Sequence, residues 1–269
     1  MKRDPRFDIL FEPVKIGPVT SKNRFFQVPH CNGMGYLRPK SLAAMRGIKA
    51  EGGWGVVCTE EVYIHSSSDC DPLVEGRLWD DDDIPALAKM TEAVHEHGSL
   101  AGIELQHGGY CSTNHYSRIP PISPSPISVE SYAPIQARAM DKSDIRNFRK
   151  WHRQAALRSK QAGFDIVYVY AAHSGTLLTH FLSRRINRRT DEYGGSLENR
   201  VRLFRELIED TKDAVGDSCA VAVRFCVEEF LGAQGITSEN EGKEIIEMLA
   251  ELPDLWDVNI SDWSMDSAT

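Results

Sequence analysis

The stretch that decides the fold is Phe164–Arg200, which reads FDIVYVYAAHSGTLLTHFLSRRINRRTDEYGGSLENR. It begins with a continuous apolar run, Ile166–Ala172, that is rich in β-branched and aromatic residues. Because the run lacks the alternation of a half-exposed strand, it predicts a parallel strand buried on both faces. Tyr170 and His173 lie where this strand ends, and catalytic side chains collect there in parallel α/β proteins. Ser196 follows two glycines and is predicted to cap the next helix.

Similar apolar runs recur along the chain and alternate with amphipathic segments. The predicted strands are Arg24–His30, Trp54–Glu61, Leu100–His107, Ile166–Ala172, Ala220–Phe225 and Leu255–Ile260. The predicted helices are Leu42–Glu51, Ile84–His97, Asp144–Ala162 (capped by Ser143), Leu197–Val215 and about Glu239–Leu252, where Ser238 and Glu241 are spaced as a capping box. This alternation predicts a parallel sheet with right-handed crossovers.

One connection, from Gly108 to Lys142, is unusually long and is rich in proline and serine. Connections of this length in compact domains are usually functional lids or disordered segments. It leaves the carboxyl end of the third predicted strand. We therefore expect it either to cover the active site or to form a surface excursion or oligomer contact.

Composition excludes several classes of function. The formal net charge is −8, from 31 Lys and Arg against 39 Asp and Glu, and no basic cluster stands out. Binding to nucleic acid or to an anionic membrane surface is therefore not expected. No apolar run approaches the roughly 20 residues of a membrane span, and the first residues lack the apolar core of a signal peptide. A cytoplasmic location is the expectation.

The six cysteines are spaced irregularly and form no CxxC pair. This pattern argues against a zinc site or an iron–sulfur cluster within the chain, and against a disulfide framework. A metal site is not expected.

The motif RTDEYGGSLENR after such a strand resembles the old yellow enzyme family of FMN-dependent oxidoreductases. The segments DPRFDILFEPVKIGP and NRFFQVPHCNG, near the start of the chain, resemble its trimethylamine and dimethylamine dehydrogenase branch. The resemblance covers essentially all 269 residues. It implies a (β/α)₈ TIM barrel truncated after about the sixth strand, with residues 1–269 as one FMN-binding domain that is incomplete at its C-terminus. Strands seven and eight, with the usual phosphate-binding corner for FMN, would be missing.

The resemblance also assigns residues to the cofactor. It implies that Cys31 bonds covalently to carbon 6 of the flavin, although in other branches a cysteine here only touches the ring. Pro29 and His30 would supply backbone contacts, Glu104 would face the pyrimidine side, and Arg224 would stabilise negative charge near N1 of the reduced flavin. The residues alone leave two simpler interpretations open: His30 is a packed loop histidine, and Glu104 pairs with Arg224 across the barrel.

For the substrate, the resemblance implies a catalytic trio of Tyr170, His173 and Asp266, in which the aspartate orients the histidine. Asp262 is a rival for the aspartate, because the alignment needs a gap there. Trp263 lies close to one position of the aromatic bowl that holds trimethylammonium.

At two other bowl positions the chain departs from the branch, with Glu61 and Gln106 in place of aromatic residues. A carboxylate can replace a ring as the partner of an ammonium group. A secondary amine or a larger N-methylated amine is therefore expected rather than trimethylamine itself.

The leading hypothesis is an FMN-dependent amine dehydrogenase that transfers hydride from a carbon next to nitrogen. In the full-length relatives a 4Fe-4S cluster would carry the electrons onward, to an acceptor such as an electron-transfer flavoprotein, and a homo-oligomer is expected. One alternative is an NAD(P)H-dependent ene reductase of the dienoyl-CoA type, although Gly175 stands where those enzymes carry their proton-donating tyrosine. The other is an inactive, truncated flavin barrel.

Overall fold

The computed structural model describes residues 4–69, 75–115, 117–129 and 135–260, and its main sheet is parallel and curled into half a barrel. Its strands are β1 (Val14–Ile16), β2 (Val19–Ser21), β3 (Phe26–Gln27), β4 (Val56–Tyr63), β5 (Gly76–Arg77), β6 (Leu100–Gln106), β7 (Ile122–Ser123), β8 (Ile127–Val129), β9 (Ile135–Ala139), β10 (Ile166–Ala171), β11 (Ala220–Glu228) and β12 (Leu255–Ile260). Its α-helices are α1 (Pro39–Glu51), α2 (Ile84–His95), α3 (Lys142–Gln161), α4 (Leu177–Leu182), α5 (Leu197–Val215) and α6 (Glu241–Leu249).

The main sheet follows the order of the chain. Strands β3, β4, β6, β10, β11 and β12 lie side by side in that order and every pair is parallel, while the short β5 pairs with the end of β4. All six strands predicted from the sequence are therefore confirmed, and only their ends differ. Sequential parallel strands place all their carboxyl ends at one edge of the sheet. Truncation of a (β/α)₈ barrel after about the sixth strand stays a prediction.

The strand register brings polar residues to a common level near that edge. Tyr168 on β10 lies opposite Glu104 on β6. Tyr170 lies opposite Arg224 on β11, and Arg224 lies opposite Asp257 on β12. Side chains from four neighbouring strands can therefore reach one another without any loop rearrangement.

Apolar side chains fill both faces of the sheet. A large cluster packs the outer face against the helices, and a smaller one, which includes Cys58, Tyr168 and Ala222, fills the concave face. The hairpin of β1 and β2 adds Ile16 to the smaller cluster. Burial on both faces explains why these strands are continuous apolar runs in the sequence.

The helix caps confirm one prediction and correct another. Ser196 caps α5, and its side chain accepts a hydrogen bond from the backbone N–H of Asn199. The cap of α3 is Asp141, not Ser143, because Asp141 and Asp144 exchange side-chain-to-backbone hydrogen bonds in a capping box. None of the described helices is long and apolar enough to cross a membrane.

The long connection between β6 and α3 has structure of its own. In its described part, β7 and β8 flank β9 in a small three-stranded sheet. Arg189, from the RRTDEYGG motif, ties this segment down by donating hydrogen bonds to the backbone carbonyls of Pro124 and Met140. Asp191 holds the guanidinium in place, at 2.9 Å from its Nε. The connection is thus anchored to the stretch that follows β10.

A buried ion pair joins α5 to α6 and overturns the capping box predicted there. Glu241 binds the guanidinium of Arg200, and both side chains are almost fully buried. The hydroxyl of Ser238 instead donates to Glu228 at 3.2 Å, so Ser238 does not cap α6. Glu241, three positions after Ser238, binds Arg200 of another helix instead of the backbone at the start of α6. The spacing of the two residues in the sequence does not reveal this tertiary contact.

We expect Glu241→Gln to lower the free energy of unfolding by about 3 kcal/mol, because Arg200 would keep a buried charge without its counter-ion. Urea denaturation at neutral pH measures this change. Lys243→Met is the matched control, since it breaks an exposed ion pair with Glu247 in the same helix, and it should change the value by less than about 0.5 kcal/mol. Equal effects of the two substitutions would contradict the assignment.

Candidate active site

Strand β4 is irregular where it reaches the carboxyl edge of the sheet. Its pairing with β6 shifts between Cys58 and Glu61, so β4 contains an extra residue there. Such a bulge re-aims the side chains around it. Glu60 turns toward the loop after β3, while Glu61 lies on the same face as Tyr63, whose hydroxyl is 3.4 Å from its carboxylate. The two adjacent buried carboxylates therefore contact different parts of the protein: Glu60 the loop after β3, and Glu61 the side chain of Tyr63.

The carboxylate of Glu60 fixes the loop that follows Cys31. It accepts hydrogen bonds from the backbone N–H groups of Asn32 at 2.9 Å and Gly33 at 3.0 Å, and from that of Gly35. A Cβ on Gly35 would overlap the Glu60 carboxylate, so this close approach requires glycine. Three N–H donors compensate the fully buried charge of Glu60. The chain on one side of Cys31 is thereby held rigidly.

Arg46 of α1 holds the chain on the other side. Its guanidinium, fully buried, donates to the backbone carbonyl of His30 at 2.7 Å and to the side chain of Gln27 at 3.0 Å. The His30 ring lies against Arg46 and Lys49, and burial together with these charges lowers the pKa of His30. The His30 N–H already donates to Thr59. His30 is an exposed residue rather than one packed in the interior. Its backbone N–H and carbonyl already have partners, which a flavin contact would have to share.

Two carboxylates converge on the Cys31 sulfur. The sulfur and one oxygen each of Glu61 and Glu75 all lie within 4.8 Å of one another. Loss of hydration, followed by the charges of Glu61 and Glu75, raises the pKa of the Cys31 thiol far above its usual value. Burial, followed by the charges of Glu75 and Glu104, raises the pKa of Glu61 well above its usual value. Cys31, Glu61 and Glu75 therefore oppose one another's ionisation.

Arg224 lies between a buried carboxylate, Glu104, and a half-buried one, Asp257. Its Nη1 donates to Glu104 at 3.3 Å and to the carbonyl of Pro29 at 2.8 Å, and its Nε lies 3.6 Å from Asp257. Burial raises the pKa of Glu104 to about 7, against the opposing pull of Arg224. Burial likewise raises the pKa of Asp257. The contact between Glu104 and Arg224 is therefore present, as the simpler interpretation expected, and a role of either toward a flavin stays a prediction.

Tyr170 and His173 contact each other at the end of β10, as predicted. The Tyr170 hydroxyl lies 2.5 Å from His173 Nδ1, and His173 Nε2 lies 2.7 Å from the amide nitrogen of Asn259. His173 and Ser174 both adopt left-handed backbone conformations, with φ of 62° and 53°. Burial and the charge of Arg224 lower the pKa of His173 to about 4. The imidazole is therefore neutral at physiological pH.

The remaining predicted substrate residues fall into two sets. Gln106 is buried at the end of β6, and its amide nitrogen donates to the carbonyl of Gly175 at 3.1 Å. It thus supports the loop that carries His173. Trp263, Asp266 and the rival Asp262 lie outside the described residues. Within the described part of the chain, Asn259 is the side chain found at His173 Nε2.

The donors and acceptors around Arg224 fit the pyrimidine edge of a flavin, which alternates carbonyl and N–H groups. Arg224 Nε is buried and makes no hydrogen bond within the described chain. Unpaired buried donors call for a partner. A guanidinium, a carboxyl with a pKa of about 7 at Glu104, and the Pro29 backbone lie within one hydrogen-bonded group.

Sequence reasoning missed several residues that build this site. They are Arg46, Glu60, Glu75, Asp257 and Asn259. Glu60 carried a usable signal, because two consecutive carboxylates interrupt an apolar strand and isolated buried charge is costly. Arg46 and Glu75 lie in segments without such a pattern, and their roles depend on contacts between distant parts of the chain.

Known proteins resemble the chain along nearly its whole length. The model of the NADH:flavin oxidoreductase / NADH oxidase family matches residues 9–268. Dimethylamine dehydrogenase from Hyphomicrobium sp. (strain x) is 42% identical over 277 residues, which cover 99% of this chain and 37% of that protein. The structure of 6-hydroxypseudooxynicotine amine oxidase (HisD) from Pseudomonas geniculata N1 is 55% identical with a TM-score of 0.94, and the match covers 97% of this chain and 39% of that one.

The fold is also similar to that of an old yellow enzyme homologue from Zymomonas mobilis. This homologue is 28% identical with a TM-score of 0.79, and the match covers 90% of this chain and 70% of its own. The parallel half-barrel of this chain is therefore similar to old yellow enzyme barrels. The chain spans less than two fifths of the length of the two amine-oxidising relatives. The resemblance to the amine dehydrogenase branch is confirmed, and the chain belongs to the NADH:flavin oxidoreductase / NADH oxidase family.

Proposed function

We propose that this chain forms the FMN site of an amine dehydrogenase that oxidises a C–N bond by removing hydride from the carbon beside nitrogen. The proposed substrate is a secondary or tertiary amine that carries a methyl group. Two relatives support the proposal, since they are named dimethylamine dehydrogenase and amine oxidase. One feature of the site carries it, namely the carboxylates gathered around Cys31.

The acidic group favours a cationic ligand. Glu61 and Glu75 lie close together, and the field of Glu104 adds to theirs, so that ionisation of Glu61 is opposed. A cation between the carboxylates relieves this repulsion, since opposite charges 4 Å apart attract by about 4 kcal/mol near a protein surface. An ammonium group is therefore a better ligand here than a neutral or anionic one.

Glu61 is also suited to remove a proton from the bound ammonium. Hydride can leave the neighbouring carbon only when the nitrogen lone pair is free. A carboxylate whose pKa is raised accepts a proton more readily than an ordinary one. Once hydride has left, the resulting iminium adds water and breaks down to an aldehyde and a shorter amine. Amine and water together thus yield aldehyde, shorter amine, two electrons and two protons.

FMN supplies the two-electron acceptor when it is bound. Pro29, Glu104 and Arg224 would hold its pyrimidine edge, where the charge of Arg224 favours the reduced ring. Cys31 is proposed as the covalent attachment point. Because the pKa of this thiol is raised, the sulfur would carry a proton before attachment. Forming the S–C6 bond would displace this proton and the hydrogen on carbon 6, so that two protons would pass to neighbouring carboxylates or solvent and two electrons to FMN as the oxidant.

Onward electron transfer is proposed to use groups outside this chain. We propose a 4Fe-4S cluster elsewhere in the whole enzyme, an acceptor such as an electron-transfer flavoprotein, and a homo-oligomer. The resemblance to the amine dehydrogenase branch is the support for all three.

Anaerobic addition of dimethylamine and larger N-methylated amines is expected to bleach the visible flavin absorbance of the purified protein, whereas NADPH is not. Glu61→Gln should raise the KM for the amine about 10- to 100-fold, because a hydrogen bond to a charged group is worth about 1.5–3 kcal/mol. Glu209→Gln, on the exposed side of α5, is the matched control. Bleaching by NADPH alone would contradict the proposal, and an unchanged KM would remove Glu61 from the amine site.

Flavin-free protein should lose stability as the pH rises from 4.5 to about 7, because native Glu104 keeps its proton in this window whereas unfolded Glu104 releases it. We expect Glu104→Gln to remove this loss, and to stabilise the protein at pH 8 by about 3 kcal/mol but hardly at pH 4. Thermal unfolding at the two pH values measures the difference. A variant that is less stable at pH 8 would show that the pairing with Arg224 outweighs burial.

Acid-denatured wild-type protein should retain FMN if Cys31 is the attachment point, and Cys31→Ser should release it. Intact-mass spectrometry after denaturation distinguishes the two states. Cys111→Ser is the control, since Cys111 is also a partly accessible cysteine. Release of FMN from the wild type would leave Cys31 as a contact residue only.

A further inference from the structure

We propose that His180 holds the backbone turn after β10 in a strained conformation, and that this turn brings His173 beside Tyr170. His180, on α4, is thus a positioning residue that acts through the backbone carbonyl of Ser174. The hold on the turn stands on the geometry alone, whereas its effect on turnover rests on the proposed function.

The turn is strained at two successive residues. His173 and Ser174 have φ of 62° and 53°, in the left-handed region. Residues with a Cβ seldom adopt this conformation, and then mostly as single residues, because the Cβ comes too close to the following carbonyl oxygen. The neighbouring Gly175, which could adopt it without strain, is not left-handed. Such strain persists only where surrounding contacts hold it.

The strained turn changes which face of the sheet His173 reaches. Successive side chains along a strand point to opposite faces, so Tyr170 and His173 would lie on opposite faces if β10 continued. The turn instead brings Nδ1 of the His173 ring to 2.5 Å from the Tyr170 hydroxyl. The left-handed conformation therefore places the two side chains together at the candidate active site.

His180 holds this turn by its backbone. Its Nε2 lies 2.9 Å from the carbonyl oxygen of Ser174. A carbonyl oxygen can only accept, so Nε2 carries the hydrogen and donates it. Burial lowers the pKa of His180 to about 3, against the opposing effect of this hydrogen bond, so the ring is neutral. The thiol of Cys111, a weak donor, also lies 3.7 Å from this carbonyl, and Gln106 donates to the next one, that of Gly175, at 3.1 Å.

The His180 ring is itself fixed in position. It is fully buried and packs against the Tyr110 ring, with ring centroids 4.0 Å apart. A Cβ on Gly109 would lie 2.5 Å from His180 Nδ1, so the ring fits only beside a glycine. The start of α4 is tied to the end of β6, because the Leu177 N–H donates to the carbonyl of His107 at 2.7 Å. The donor to the turn therefore has little freedom to move away.

Crystal structures of variants of the purified protein test the hold on the turn. In His180→Leu, which removes the donor, we expect Ser174 to leave the left-handed region and the contact between His173 and Tyr170 to be lost. His180→Gln keeps an N–H donor and should keep the turn. Phe181→Leu is the matched control, since it trims a buried side chain of the same helix. An unchanged turn in His180→Leu, or a turn that is also lost in Phe181→Leu, would overturn the proposal.

Unfolding temperatures test the strain even if His180→Leu does not fold. Ser174→Gly and Ser174→Ala both remove the hydroxyl, but only glycine adopts the left-handed conformation without strain. We therefore expect Ser174→Gly to unfold about 2–4 °C above Ser174→Ala. In a folded His180→Leu background this difference should shrink, because the turn has already relaxed. An alanine variant as stable as the glycine variant would overturn the proposal.

Steady-state kinetics with the amine test the role in turnover. His180→Leu should lower kcat about 3- to 10-fold, the value of one ordinary hydrogen bond. KM should change less, because the carboxylates proposed to bind the ammonium group lie on other segments, and His180→Gln should restore kcat. An unchanged kcat in a variant whose turn has moved would overturn the role in turnover and leave the hold on the turn standing. Absence of turnover by the wild type with every amine would instead refute the proposed function, and the crystal structures would still decide the hold on the turn.

Discussion

The placement of Arg224 between two carboxylates is the constraint on which the site depends. Its guanidinium reaches Glu104 on β6, lies 3.6 Å from Asp257 on β12 and grips the carbonyl of Pro29 after β3. The side chain of Arg224 on β11 thereby connects β6, β12 and the segment after β3 near the same edge of the sheet. The charge of Arg224 is also kept next to partners inside the curled sheet, where an isolated charge would be costly.

The charge balance around Arg224 also shapes the chemistry next to it. One cation faces two carboxylates, and Glu61 and Glu75 add more acid near Cys31. The group therefore holds more carboxylates than cations, and burial raises the pKa of Glu104 to about 7. In the proposed function, the ammonium group of the substrate would complete this balance.

The position of the loop that carries Cys31 depends on the bulge in β4. The bulge in β4 lets Glu60 bind three N–H groups of this loop while Glu61 faces the site. Arg46 holds the preceding residue from the other side. The proposed attachment of Cys31 to one flavin carbon would need such fixed geometry, since small displacements of reacting groups cost large factors in rate.

The sequence by itself determined the six parallel strands and their order, because strands buried on both faces must be apolar throughout. It also determined that Tyr170 and His173 would meet, since three residues at a strand end span a short distance. Only the tertiary structure decided that Asn259 reaches His173, that Asp257 joins Arg224, and that Glu241 binds Arg200 rather than capping its helix. These contacts join residues 33 to 86 positions apart, and no local period encodes which distant partner a polar side chain will find.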